Sequence, residues 1–110
     1  MITIDNENNN ISIIKKDTAS LEVFLDNYML TEGDKVTFTI DKEVEQQEPI
    51  KQIIITEFTE DGGAIINLTS EDTDLEIGTY KYDVQINTAD GRVDTVIGPA
   101  KFKVIGGVTY

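Results

Sequence analysis

Residues 74–86 read Asp-Leu-Glu-Ile-Gly-Thr-Tyr-Lys-Tyr-Asp-Val-Gln-Ile. The segment from Leu75 to Gly78 has the composition of a sharp corner, and strict alternation follows it. From Tyr80 to Ile86 every second residue is aromatic or aliphatic, and the residues between them are polar or charged. This period of two is that of a β-strand with one buried face. The stretch therefore predicts a corner that leads into a central strand.

The position of Tyr80 makes this prediction more specific. A tyrosine two residues into a strand, after a glycine corner, is typical of the tyrosine corner of immunoglobulin-like sandwiches. A buried tyrosine hydroxyl usually finds a hydrogen-bond partner. We therefore expect Tyr80 and Tyr82 to be core residues, with one hydroxyl bonded to a nearby backbone carbonyl.

Six further segments have strand patterns, and no amphipathic helix is evident. These segments are residues 11–16, 21–25, 35–41, 50–58, 64–69 and 93–105. Gly33-Asp34 is a turn signal, whereas Asp61-Gly62-Gly63 and residues 89–92 are hairpin signals. About seven strands predict an all-β fold, an immunoglobulin-like antiparallel β-sandwich in one domain, 1–110. Residues 1–4 are expected to be a short strand or the beginning of a flexible start that extends over 1–10, with a polar turn or loop at residues 5–10, and residues 106–110 a tail or linker.

Two of the segments depart from simple alternation. Ile53-Ile54-Ile55 places aliphatic side chains on both faces, which predicts a strand that is bulged or covered on both sides. Gly98-Pro99 interrupts the last segment, and proline cannot donate to a central ladder. That interruption predicts an edge strand with a bulge or bend.

The chain carries a net charge of −12 from 21 acidic and 9 basic residues. An anionic surface repels phosphate groups, so we expect neither nucleic acid nor an anionic membrane as a partner. Solubility is the simplest role of this charge, and steering towards a basic partner surface is the alternative.

Cysteine, histidine and tryptophan are all absent from the 110 residues. The chain therefore has no disulfide, no thiolate nucleophile, and neither the commonest general base nor the commonest zinc ligand. These absences predict that the protein is not an enzyme and holds no cofactor. The start, Met1 to Asp5, lacks the basic and apolar regions of a signal peptide, and no stretch is long enough to span a membrane.

Two acidic clusters are candidate metal sites. Residues 5–10, Asp-Asn-Glu-Asn-Asn-Asn, have oxygen ligands at a calcium-like spacing but lack the glycine and the bidentate glutamate of an EF-hand. Glu71, Asp72 and Asp74 form the second cluster. We interpret both clusters as solvated loops and predict no metal site. A glycosidase pair of carboxylates is disfavoured because tryptophan, the usual sugar platform, is absent.

The order of the elements carries a family resemblance. The chain reads Ile-Ser-Ile-Ile-Lys-Lys-Asp-Thr at 11–18 and Leu-Thr-Glu-Gly-Asp-Lys-Val-Thr-Phe-Thr-Ile at 30–40. Glu-Asp-Thr-Asp-Leu-Glu-Ile-Gly-Thr-Tyr-Lys-Tyr-Asp-Val follows at 71–84, then Asp-Gly-Arg-Val-Asp-Thr-Val at 90–96 and Phe-Lys-Val at 102–104. This order resembles the immunoglobulin-like N-terminal domain of phage baseplate upper proteins, from phages and prophages of Gram-positive bacteria. The resemblance covers about residues 11–105.

The resemblance implies a virion structural protein of the tail or baseplate, assembled in the cytoplasm of the bacterial host. Its implied partners are other virion proteins, with a homo-oligomer as a further possibility. Family members usually carry additional receptor-binding or tail-attachment regions, which are not among these 110 residues, so a free small virion protein and an excised domain are both open, as is the place in the particle. The family has no catalytic residues to transfer.

Three aliphatic or aromatic residues fall opposite the inward face of their strands: Phe24, Ile54 and Ile105. Exposed together, they would form a patch suited to a neighbouring subunit. The alternative is that a bulge or the N-terminal strand covers them.

The leading hypothesis is therefore a non-enzymatic phage or prophage virion protein that acts through protein–protein assembly. The alternative is a host-surface or carbohydrate adhesion module with the same fold, although aromatic residues are sparse for sugar binding. An enzyme is the third hypothesis, and the absence of histidine and cysteine counts against it.

Overall fold

The computed structural model describes residues 2–4, 9–24, 28–42 and 50–107. These residues form eight strands, and none of them is helical, so the all-β prediction is confirmed. The strands are β1 Ile2–Ile4, β2 Ile11–Ile14, β3 Ala19–Val23, β4 Lys35–Lys42, β5 Lys51–Ile55, β6 Ala64–Leu68, β7 Gly78–Asn87 and β8 Val93–Ile105. The count exceeds the predicted seven because residues 2–4 pair with β2 as a strand.

The strands form two sheets around a shared core. The large sheet has six strands in the order β1-β2-β8-β7-β4-β5, and the small sheet consists of β3 and β6. One pair is parallel, β2 with β8, in which Ile11 lies opposite Phe102. The prediction of a wholly antiparallel arrangement is therefore wrong for this pair. No tight turn joins these two strands, which lie far apart in the chain, so no hairpin imposes an antiparallel direction.

The core lies between the two sheets and follows the alternation seen in the sequence. In β4 and β7 every second residue is buried, as predicted. Phe38, Tyr82 and Phe102 meet at its centre, with ring centroids 5.4 to 6.3 Å apart. The two contacts of Phe102 are edge-to-face, a favoured geometry for aromatic pairs.

The two tyrosines of β7 are buried, as expected, and both hydroxyls find backbone partners. The Tyr80 hydroxyl donates to the Glu76 carbonyl over 2.6 Å, which closes the predicted corner. The Tyr82 hydroxyl donates to the Asn9 carbonyl, a contact with a segment distant in sequence. Burial raises the pKa of Tyr82 to about 12, so its phenol remains a donor under ordinary conditions.

The corner is also attached to the turn after β2. Thr73 is fully buried, and its hydroxyl donates to the Asp17 carbonyl over 2.7 Å. The Lys15 ammonium donates to the Leu75 carbonyl at 3.1 Å and lies 3.4 Å from Asp74. These contacts fix the link between β6 and β7 before the central strand begins.

The predicted irregularity in β8 is confirmed, but its predicted position at an edge is only half right. The pairing of β8 with β7 shifts register around Asp83 and Val84, where Gly98 and Pro99 lie. Among the described residues, β8 is paired only with β7 from Val93 to Pro99, whereas residues 102–105 also pair with β2. Pro99 therefore lies in the part of the strand that has no ladder to satisfy on its second side.

The prediction for Ile53-Ile54-Ile55 is wrong. The ladder between β5 and β4 is regular from Ile55 to Lys51, so no bulge occurs. Ile53 and Ile55 pack against the core, whereas Ile54 faces outward and is 52% exposed. The strand keeps a period of two because only its inward face is covered.

Gly98→Ala should destabilise the fold more than Gly91→Ala. Both glycines have positive φ, at 111° and 94°. A Cβ on Gly98 would lie 2.7 Å from the Asp83 Cβ and 2.8 Å from the Tyr82 carbonyl oxygen, whereas one on Gly91 would meet open space. We expect a loss of about 1 kcal/mol for Gly91→Ala from backbone strain, and about 3 kcal/mol for Gly98→Ala from strain plus overpacking. Urea denaturation measures both, and equal losses would contradict the packing argument.

Candidate protein-interaction surface

Eight large apolar side chains are exposed in the described part of the chain. They are Phe24, Tyr28, Met29, Ile54, Ile65, Ile77, Val93 and Ile105. Apolar residues that are scattered singly need no explanation, whereas contiguous patches mark interaction sites. The strand register places several of these residues together, and those groupings are the candidate sites.

The first grouping, the Phe24 surface, consists of Phe24 and Ile65 on the outer face of the small sheet, with Met29 against Gly62, the neighbour of Gly63. The ring of Phe24 lies directly over Gly63, where an added Cβ would be 2.7 Å from the ring. Ile65 pairs with Glu22, so it lies diagonally across the ladder from Phe24, within reach of an aromatic side chain. Met29 packs against Gly62 with the same closeness.

Two glycines make this surface possible. Gly62 has a φ of 79°, and its carbonyl accepts a hydrogen bond of 3.1 Å from the Leu30 amide. Gly63 donates to the Thr59 hydroxyl over 3.1 Å. The prediction of a hairpin at residues 61–63 is wrong, since the turn joins β5 and β6, which belong to different sheets. The backbone of its two glycines instead packs against the side chains of Phe24 and Met29.

A buried carboxylate holds the segment that presents Met29. Asp34 is 3% exposed, and one of its oxygens accepts from the Thr31 amide at 3.0 Å and from the Tyr28 hydroxyl at 2.8 Å. Its other oxygen accepts from the Ala89 amide at 3.0 Å, in the hairpin between β7 and β8. The Thr31 amide, followed by the Tyr28 hydroxyl, lowers the pKa of Asp34.

In the sequence, Asp34 is recognisable only as part of a turn, and no pattern indicates a role for Met29. An aspartate three residues after Thr31 is a recognisable turn signal, because its side chain can accept backbone hydrogen bonds. The bond to Ala89 spans 55 residues and has no local signal in the sequence. The contact of Met29 with Gly62 is equally long-range.

The second grouping, the Ile105 surface, lies at one end of the outer face of the large sheet. Ile105 is opposite Ile14 in the pairing of β8 with β2. The pairing of Gly78 with Val104 places Ile77 beside it on the other side. The Ile77 side chain also reaches within 3.2 Å of where a Cβ on Gly106 would be.

The three residues that the alternation pattern predicts to face outward are exposed, but they do not form one patch. Phe24, Ile54 and Ile105 are 55%, 52% and 44% exposed. Phe24 projects from the small sheet, whereas the other two project from the opposite, outer face of the large sheet. The strand pairings align Ile54 with Thr95 of β8 across the large sheet. Thr95 lies ten residues before Ile105, which is about 30 Å along β8, so Ile54 and Ile105 are far apart on the same face.

The acidic cluster before β7 is engaged within the chain. Asp72 accepts from the Thr69 amide at 2.9 Å and forms an ion pair of 2.9 Å with Lys51, and Asp74 lies near Lys15. No group of three or more acidic residues in the described ranges is arranged to hold a metal ion. Residues 5–8 of the other acidic cluster lie outside the described residues.

An open groove, lined mainly by residues with polar side chains but also by Ala19 and Leu68, runs along one end of the small sheet. Its lining consists of Thr18, Ala19, Ser20, Asn67, Leu68, Thr69, Ser70 and Glu71. Hydroxyl and amide groups of this kind can hydrogen-bond a polar ligand. None of the eight lining residues is aromatic, so the groove lacks the stacking platform that sugars commonly use.

No protein-family model, curated protein or solved structure matches the chain. Within the described residues there is also no helix of the length and apolarity that crossing a membrane requires.

Asp34→Asn should destabilise the protein near neutral pH, and the loss should shrink in acid. Because the folded-state pKa of Asp34 is lowered, its contribution is present above the unfolded pKa and is lost as pH falls through the folded pKa. Urea midpoints at neutral and acidic pH measure this, with Asp61→Asn in an exposed turn as the control. A difference between wild type and Asp34→Asn that does not change with pH would contradict the assignment.

Proposed function

We propose that this protein is a non-enzymatic structural module of a phage or prophage virion, a component of the tail or baseplate that acts through protein–protein contacts. The observation that carries the proposal is the Phe24 surface, an apolar patch built over two glycines, in which Met29 is held by the hydrogen bonds of its neighbours Tyr28 and Leu30. Such a surface fits a partner protein better than a small substrate, because it is exposed and apolar rather than concave.

We also propose an immunoglobulin-like fold. The run β8-β7-β4-β5 has the order G-F-C-C′ of the variable type, and β3 with β6 corresponds to the B–E pair of the other sheet. The bond from the Tyr80 hydroxyl to the carbonyl of Glu76 has the form of a tyrosine corner. The small sheet has no further strand among the described residues, and β2 instead lies beside β8.

The construction of the Phe24 surface supports a contact role. Aromatic residues and methionine are enriched at the centres of protein interfaces. Phe24 and Met29 lie against glycine backbone, so less conformational freedom remains to be lost when a partner binds. The net charge of −12 disfavours unspecific self-association and favours partners with a basic rim.

The association with a virion rests on the sequence resemblance over residues 11–105. It implies other virion proteins as partners and assembly in the host cytoplasm. The adhesion alternative would need a ligand site, and the polar groove beside Asn67 offers hydrogen-bonding groups without an aromatic platform. Assembly is therefore the better supported of the two functions.

Phe24→Asp should leave the fold intact and reduce incorporation into particles. The side chain is 55% exposed, so the free energy of unfolding should change by only about 0.5 kcal/mol, whereas a charge in the centre of an apolar contact should reduce binding by about tenfold or more. The test complements a phage or prophage deleted for this gene with wild type or variant, and measures the chain in purified particles by mass spectrometry.

Val93→Asp is the matched control, because Val93 is 63% exposed and lies on the large sheet. It should be incorporated like the wild type. Absence of the wild-type chain from particles would refute the virion role. Incorporation of Phe24→Asp at the wild-type level, or its unfolding, would refute the role of the Phe24 surface.

A further inference from the structure

β5 forms one edge of the large sheet, and β1 forms the other. β5 pairs with β4 on one side, from Lys51 opposite Ile40 to Ile55 opposite Val36. No strand in the described ranges pairs with its other side. The backbone groups that point away from β4 therefore have no strand partner among the described residues.

After Lys51, residues 52–56 of this edge carry none of the usual protections. Natural edge strands avoid pairing with other chains through charges, prolines or bulges. Residues 52–56 read Gln-Ile-Ile-Ile-Thr, with no charge, proline or glycine. The ladder is free of bulges, Ile54 is exposed on the outer face, and Lys51 at the start of the strand is directed to Asp72.

The sequence of this edge is complementary to itself when two copies run antiparallel around Ile54. Ile54 then lies opposite Ile54, Ile53 opposite Ile55, and Gln52 opposite Thr56. Pairing that continues past Ile55, where β5 ends, also sets Lys51 of each copy opposite Glu57 of the other, in addition to the ion pair of Lys51 with Asp72 of its own chain. Opposite charges and paired β-branched residues both stabilise an antiparallel ladder.

The neighbouring registers fit less well. Centring the pair on Ile53 sets Lys51 opposite Ile55, and centring it on Ile55 sets Ile53 opposite Glu57. Each of these registers buries a charge against an aliphatic side chain and loses the ion pair. The register centred on Ile54 is the one that matches apolar with apolar, polar with polar and base with acid.

We propose that β5 is a self-association site, at which two copies of this chain pair edge to edge across a two-fold axis through Ile54. The contact is isologous, because each copy contributes the same residues. It joins the two six-stranded sheets into one continuous sheet. One strand edge is a small interface, so the dimer should depend on concentration.

This dimer goes beyond the proposed function and uses a different surface. The Phe24 surface belongs to the small sheet, so both of its copies stay free in the dimer. A chain that fails to pair through β5 could still enter particles, and a chain absent from particles could still pair. An experiment can therefore refute the dimer without refuting the virion role, or the reverse.

Cysteine cross-linking tests the register directly, because the chain has no cysteine of its own. In the proposed dimer the two Cα atoms at position 54 are about 5 Å apart, within the range of a disulfide. Those at position 52 are about 14 Å apart, because the two copies run in opposite directions. Under mild oxidation Ile54→Cys should give a covalent dimer, and Gln52→Cys, on the same face of the same strand, should remain a monomer.

Sedimentation of uncross-linked protein provides the second arm. Glu57→Lys should weaken the dimer by about tenfold, since each new lysine would face Lys51 of the other copy. Glu60→Lys makes the same charge change at an exposed position outside the paired segment and should leave the dimer unchanged. Circular dichroism checks that all four variants are folded.

A folded wild-type chain that stays monomeric at millimolar concentration would overturn the proposal. A dimer in which Ile54→Cys does not cross-link, or in which Gln52→Cys cross-links equally well, would also overturn it. Equal effects of Glu57→Lys and Glu60→Lys would exclude the ion pair and with it the proposed register.

Discussion

The hydrogen bond from the Tyr80 hydroxyl to the Glu76 carbonyl closes the corner that begins the central strand. Two residues further, the Tyr82 hydroxyl reaches the Asn9 carbonyl, so β7 holds both its own corner and the segment before β2. A buried phenol without a partner would cost about 1–3 kcal/mol. Because β7 pairs with β4 on one side and β8 on the other, the placement of these two rings sets the position of the strands around it.

The inward-facing residues of β7 and its neighbouring strands form the core, so the outward-facing residues remain for other contacts. Phe24 is outward on the small sheet, whereas Ile54 and Ile105 are outward on the large sheet. Their surfaces therefore point in different directions. We infer that the chain can bind a partner through the Phe24 surface while its β5 edge pairs with a second copy, an arrangement suited to a repeated assembly.

Local pattern was enough to predict the strands with a clear period of two, the burial of Tyr80 and Tyr82, and the irregularity at Gly98-Pro99. It was not enough where the outcome depends on a distant neighbour. The run of isoleucines around Ile54 fits a strand covered on one face or on two, and the tertiary structure decides between them, because Ile53 and Ile55 pack on the core whereas Ile54 is exposed on the outer face. The direction of β2, and the contacts of Met29 and Asp34, likewise depend on segments far away in sequence, which composition and periodicity cannot bring together.

The free energies of unfolding of Tyr80→Phe and Tyr82→Phe test most directly whether the two hydroxyl contacts hold the fold together. Each substitution keeps the ring in the core and removes one hydroxyl, so packing is preserved while a backbone carbonyl loses its donor. Urea denaturation should show a loss of about 1 kcal/mol or more for each variant, with an unchanged dependence on denaturant. Two variants with the midpoint of the wild type would contradict the account, because the corner and the segment at Asn9 would then be held by other contacts.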